Sequence, residues 1–151
     1  MAHPHGALLG HEMSDEAVDA FLTEQGVGVL SLAADGEPYG LPLSFGYDGA
    51  RCYVLFAGRS TEGRKVRFAE ATTTASLLAF EVAGDAEWRS VAVDGPFERI
   101  TADEWDEARE AMLDNAYRPD LLVDVDVRSD PRVWALDVRE RAGRQMPAAE
   151  P

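Results

Sequence analysis

The sequence predicts an α+β protein built on a split β-barrel of about six mostly antiparallel strands with short flanking helices. Three observations carry this. Asp35-Gly36 and Asp48-Gly49 are hairpin signals that join three consecutive apolar stretches into a meander. Helix-start signals bound only short segments between strand-like runs. At 151 residues and 46% hydrophobic, the chain suits a single domain with a real core, and closing its sheet into a barrel removes aggregation-prone edges.

Ser14-Asp15-Glu16-Ala17 opens the first helix, with Ser14 as N-cap and acids in the first turn. Ala17, Val18, Phe21 and Leu22 form its apolar face, and Gly26 stops it. Gly28 to Ala33 is the first strand and Tyr39 to Tyr47 the returning one. Pro42 inside the second marks an edge, a bulge or a ligand-facing position, because proline cannot complete a ladder. Arg51 to Phe56 is the third strand, and the loop at 57–63 leads into a helix over roughly Glu62 to Glu70. Thr72 to Val82 and Trp88 to Ile100 are the fourth and fifth strands, the latter interrupted by Gly95-Pro96. Thr101 and Glu104 have capping-box spacing and start a helix that runs to about Ala116. Residues 117–130 fit either an exposed strand or a loop. Arg132 to Glu140 is the sixth strand, with Trp134, Leu136 and Val138 on one face and Val133, Ala135 and Asp137 on the other. Residues 1–13 and 142–151 are expected to be flexible tails around a domain spanning 14–141.

Composition narrows the partners. The formal net charge is −14, with acids dispersed along the chain. Such a field repels nucleic acid and anionic membranes. Dispersed acids and a single lysine resemble proteins of salt-loving archaea, whose self-repulsion is screened in concentrated salt. The single cysteine, Cys52, excludes an internal disulfide and a multi-cysteine metal site. No apolar run reaches the ~18 residues of a membrane span, and no basic region followed by an apolar stretch opens the chain. A cytoplasmic protein is expected. His3, His5 and His11 lie in the Pro- and Gly-containing start, read as tail rather than metal site.

Chemistry concentrates in three places. The only lysine, Lys65, follows Gly63-Arg64 in a loop that also contains Gly58, Arg59, Ser60 and Thr61. Glycines admit backbone N–H groups, hydroxyls donate, and Arg64 and Lys65 supply charge, so the pattern suits a phosphate at a helix start. The Gly-x₄-Gly-Lys-Ser/Thr spacing of a P-loop is absent. Leu41-Pro42-Leu43-Ser44-Phe45 can present backbone groups to a planar heterocycle or be an ordinary edge strand. In Trp88-Arg89-Ser90-Val91 the indole can stack on a ring or serve as a packed side chain.

Taken together, Gly36-Glu37-Pro38-Tyr39, Pro42 to Gly49, Glu62 to Lys65 and Trp88 to Val91 resemble the pyridoxamine 5′-phosphate oxidase-like, FMN-binding split-barrel family. The likeness covers roughly residues 14–140 and looks closest to its nitroimidazole-resistance-type branch. It implies a homodimer with FMN in a groove at the subunit interface. Ser60, Thr61, Arg64 and Lys65 would hold the FMN phosphate, and Pro42, Leu43 and Ser44 would line the isoalloxazine ring. Trp88 and Ser90 would contribute from the fifth strand, including from the partner subunit. An FMN-dependent oxidoreductase acting on a small molecule is the function implied. A deazaflavin- or haem-binding relative and a non-catalytic flavin-binding stress protein are the alternatives. Gly58 stands where many relatives of that branch carry histidine, and the basic set that pyridoxamine phosphate oxidases use for substrate phosphate is not recognisable. Neither nitroreductase chemistry nor vitamin B6 oxidation is therefore carried over.

Overall fold

The computed structural model describes residues 9–56, 63–115 and 133–147. Eight strands are defined there: β1 (His11–Glu12), β2 (Val27–Ala34), β3 (Glu37–Tyr47), β4 (Arg51–Leu55), β5 (Thr74–Gly84), β6 (Glu87–Arg99), β7 (Val133–Asp137) and β8 (Glu140–Met146). Three helices accompany them: α1 (Asp15–Gln25), α2 (Arg64–Ala71) and α3 (Trp105–Asn115), the last entered through a 3₁₀ turn at Ala102–Glu104.

Strands β6-β5-β2-β3-β4-β7 are joined in that order, and β7 pairs back onto β6, so the six close into an antiparallel barrel. The expected split barrel is what the chain forms. Its turns follow their chemistry. Asp35 and Gly36 both take positive φ, 51° and 80°, as the tight β2–β3 hairpin requires. At the β3–β4 hairpin the Asp48 carboxylate accepts from the Ala50 and Arg51 amides at 2.9 and 2.7 Å.

The split lies in β6. Its first half, Trp88–Asp94, pairs with β8, and its second half, Phe97–Arg99, pairs with β7. The connection between β7 and β8 crosses β6 at Gly95. A Cβ on Gly95 would lie 1.7 Å from the Asp137 carbonyl oxygen, so only glycine permits the crossing. The Arg139 amide then donates to the Asp94 carbonyl at 2.9 Å.

Two sequence expectations are corrected here. The last strand was expected to end at Glu140 and residues 142–151 to be tail. Instead a second strand, β8, runs to Met146, held by a ladder along the apolar first half of β6. Residues 1–13 were also expected to be tail, but His11 and Glu12 pair with Gln145 and Arg144 of β8. Met13 explains the anchoring: its side chain is buried, its amide donates to the Gly143 carbonyl at 2.8 Å, and a Cβ on Gly143 would meet its sulfur. His3, His5 and the segment 117–130 lie outside the described residues.

Helix α1 is capped as expected, with Ser14 Oγ accepting from the Ala17 amide at 3.1 Å and Gly26 left-handed at the C-terminus. It buries Val18, Phe21 and Leu22 over the barrel end near Tyr47. Helix α2 buries Phe68 and Ala69 at the opposite end, near Tyr39, and Thr72 ties it to both the amide and the carbonyl of Ala33. Helix α3 lies outside β3, β4 and β7, where Ala108, Ala111 and Met112 pack on Tyr53, Val133 and Ala135. Both faces of β7 are thus covered, Trp134 and Leu136 inward and Val133 and Ala135 beneath α3.

Candidate functional site

Among the described residues, strand β3 has one open edge. Residues Glu37–Ser44 pair with β2, but β4 joins the other side only at Phe45–Tyr47. Pro42 lies in this half-paired stretch, where its missing N–H leaves no buried ladder position unfilled. The edge-strand expectation for Pro42 therefore agrees with the register. Leu41 and Leu43 pack on the core, while Pro42 and Ser44 alternate to the outer face.

Helix α2 begins beside the far end of that edge. Its N-cap, Gly63, sits at φ 127°, and no side chain caps its first turn. The guanidinium of Arg64 lies 4.6 Å over the Tyr39 ring and 5.4 Å over Phe68, and the two rings are themselves 5.2 Å apart. Arg51, Arg89, Arg99, Arg139 and Arg141 are each paired with a carboxylate. Arg64, among the described residues, is paired with none. In so acidic a chain this leaves a positive centre uncancelled, next to a helix N-terminus whose partial charge has the same sign. Lys65, on the same first turn, is half-buried. Ser60 and Thr61, expected to complete the cradle, lie outside the described residues.

Trp88 and Ser90 are elsewhere in the protomer. Register pairs Ser44 with Val27, Phe80 with Ser90, and Val82 with Trp88. Continuing the β2–β5 ladder by two residues from Val29 and Leu78 sets Val27 beside Phe80. Ser44 and Ser90 therefore share one outer row, three strands or roughly 14 Å apart. Tyr39, under Arg64, is seven rows from the level of Trp88, roughly 24 Å along the strands at 3.4 Å per residue. The indole of Trp88 also packs against Gly10, where an added Cβ would come within 2.6 Å of it. Along β3, Pro42 is three rows, roughly 10 Å, from the Tyr39 level under Arg64, whereas Ser44 is five rows, roughly 17 Å, from it and stands in the row of Ser90. Trp88 lies two rows farther, at the opposite end of the same face.

That face is apolar. Leu78, Phe80 and Val82 of β5 are 38%, 51% and 71% exposed, with Val27, Val29, Pro42 and Ala92 alongside in register. The sequence reading assigned no function to Leu78, Phe80 or Val82 of that face. The signal was present in the unbroken apolar run Leu77-Leu78-Ala79-Phe80, the mark of a strand covered on both faces. The contact of Tyr39 with Arg64 joins positions 25 apart along the chain, which sequence spacing does not signal. Tyr47 donates to Asp19 at 2.6 Å and accepts from Arg141 at 3.3 Å. Burial, reinforced by Asp19, raises its pKa and keeps the phenol protonated. It fastens α1 to the barrel at the end remote from Arg64. Among the described residues no three His, Cys, Asp or Glu side chains group to hold a metal.

The fold has known counterparts. The chain belongs to the pyridoxamine 5′-phosphate oxidase family, whose sequence model matches residues 14–145. A Rhizobium meliloti protein of uncharacterized function is 27% identical over 90 residues, a match spanning 60% of this chain and 57% of that protein. Among solved structures, an FAD-binding protein of Mesorhizobium loti superposes with a TM-score of 0.71 at 25% identity, covering 93% of this chain and 99% of its own. A haem-binding protein of Mycobacterium smegmatis gives a TM-score of 0.67 at 24% identity, covering 85% of this chain and 53% of the other. The second of these speaks for the fold alone.

Proposed function

We propose that this protein is an FMN-binding flavoprotein that works as a homodimer and as an oxidoreductase on a small molecule. The observation that carries the reading is Arg64: a guanidinium with no carboxylate partner among the described residues, beside Lys65, at a helix start with no side-chain cap, in a chain of net charge −14. Such a centre suits a phosphate. In this reading Ser60, Thr61, Arg64 and Lys65 hold the FMN phosphate. Pro42, Leu43 and Ser44 line the ring along the open edge of β3. The FAD-binding relative supports a flavin as the ligand class. When bound, the flavin supplies hydride or electron transfer, and the protein's part is to hold, orient and shield it.

A homodimer fits the same geometry. A two-fold interface uses one patch twice, and an elongated patch paired about an axis across its length lays one end over the other. The outer face of β2, β5 and β6 would thus carry Trp88 and Ser90 of one subunit to the Pro42–Arg64 end of its partner. Burying Leu78, Phe80 and Val82 also removes an exposed apolar patch that monomers rarely keep. A halophilic, cytoplasmic setting agrees with the charge, and no helix among the described residues is long and apolar enough to cross a membrane.

The test is direct. Purified protein titrated with FMN should bind it and show flavin absorption bands. Lys65→Ala should weaken the complex by about 1.5–3 kcal/mol, the scale of one charge-assisted hydrogen bond. A Soret band in place of flavin bands, or an affinity untouched by Lys65→Ala, would overturn the assignment.

A further inference from the structure

We propose that Tyr39 is a positioning residue for Arg64, and that it sets the site's preference for a phosphorylated over an unphosphorylated flavin. This rests on the reading of the β3–α2 corner as a phosphate site. Arg64 opens α2, and its residue is exposed to solvent. A long, exposed side chain in so acidic a chain would normally be fixed by a carboxylate, as Arg51, Arg89, Arg99, Arg139 and Arg141 are. A carboxylate, however, occupies the in-plane donors and cancels the charge. An aromatic ring does neither. Tyr39 holds the guanidinium over its ring, 4.6 Å from the centroid. Phe68, at 5.4 Å, supports it from within the helix and is buried against the core. An aromatic ring brings no oxygen acceptor to the five N–H donors, which leaves the guanidinium fork for a bidentate phosphate contact.

The platform is rigid from below. Tyr39 pairs with Leu32 across β2–β3 and packs on the core, and its ring is 5.2 Å from that of Phe68. The stack therefore fixes Arg64 relative to the open edge of β3, three residues before Pro42.

Flavin titrations with FMN and with riboflavin, which lacks only the phosphate, separate this role from a general one. Wild type should prefer FMN. Tyr39→Leu should weaken FMN by roughly five- to tenfold, the scale of one partly desolvated cation–π contact, and leave riboflavin within about twofold. Tyr39→Phe, which keeps the ring, should retain the full preference. In an Arg64→Ala background Tyr39→Leu should cost nothing further. A Tyr39→Leu protein that keeps the FMN preference, or that loses both ligands equally, overturns the role of Tyr39. A wild type that binds riboflavin as tightly as FMN instead removes the phosphate site itself, and the inference with it. Thermal melts of each variant show that the comparison is made on folded protein.

Discussion

At the scale of single residues, this chain uses arginine in two ways. Most described arginines are bonded to carboxylates or backbone carbonyls and act as staples. Arg51 is the most integrated: it bonds Glu104, whose carboxylate also accepts the Thr101 amide at 3.0 Å, tying β4 to the turn that precedes α3. The Arg51 hydrogen bond, then the Thr101 amide, hold Glu104 below its ordinary value of 4.5. A depressed carboxylate contributes stability that is complete above the unfolded-state pKa and is lost as pH falls through the folded one. Glu104→Gln should therefore lower stability at neutral pH by about 1 kcal/mol, as for a partly exposed pair. The difference from wild type should vanish below the ordinary carboxylate range, as read from urea melts across that interval. Arg64 is used the other way, held over a ring with no carboxylate beside it among the described residues, and residue type alone could not separate the two. Lys65 stood out in the sequence because it is unique. Arg64 became distinct only when its neighbours were known.

At the scale of elements, the strands that alternate cleanly or end in Asp-Gly turns were legible, as were the caps at Ser14, Gly26 and Thr101. Strand β8 was not. Arg141-Ala142-Gly143-Arg144-Gln145 carries no apolar alternation, because its stability comes from backbone pairing with β6 and from Gly143 lying close to Val18 and Val91. Hydrophobic periodicity is silent about a strand made that way. Gly95-Pro96 was read as an interruption of the fifth strand, and in the fold it is the point where β6 changes partners. Gly95→Ala should thus be costly although the added methyl is small. The clash is with backbone, which cannot rotate away, and a loss of about 2–3 kcal/mol is expected from overpacking of this kind. Chemical denaturation against wild type measures it, and a change within experimental error would mean the β7–β8 crossing is loose.

At the scale of the whole molecule, charge and surface pull in different directions. Repulsion within a chain of net charge −14 favours expansion and separation of copies, whereas the apolar face on β5 favours association. Salt relieves the first and strengthens the second. The melting temperature should rise as salt is raised toward molar concentrations, where the screening length falls to about 3 Å. A melting temperature independent of salt would show that the acids are too well spaced to matter. If the proposed homodimer forms through this face, Phe80→Asp in its middle should shift sedimentation from dimer toward monomer relative to wild type while leaving the far-ultraviolet circular dichroism intact. A variant that sediments as a dimer like wild type would mean that the subunits meet elsewhere. The closed ring has a further consequence, for the order in which the molecule can be made. Strand β7 is the piece that joins β4 to β6, and it is the second-to-last strand in chain order. Until Val133–Asp137 leaves the ribosome, β4 and β6 remain unpaired along the edges that β7 will fill. The nascent chain must keep both from pairing with other polypeptides, and it completes the barrel only through contacts distant in sequence, the kind that form slowly.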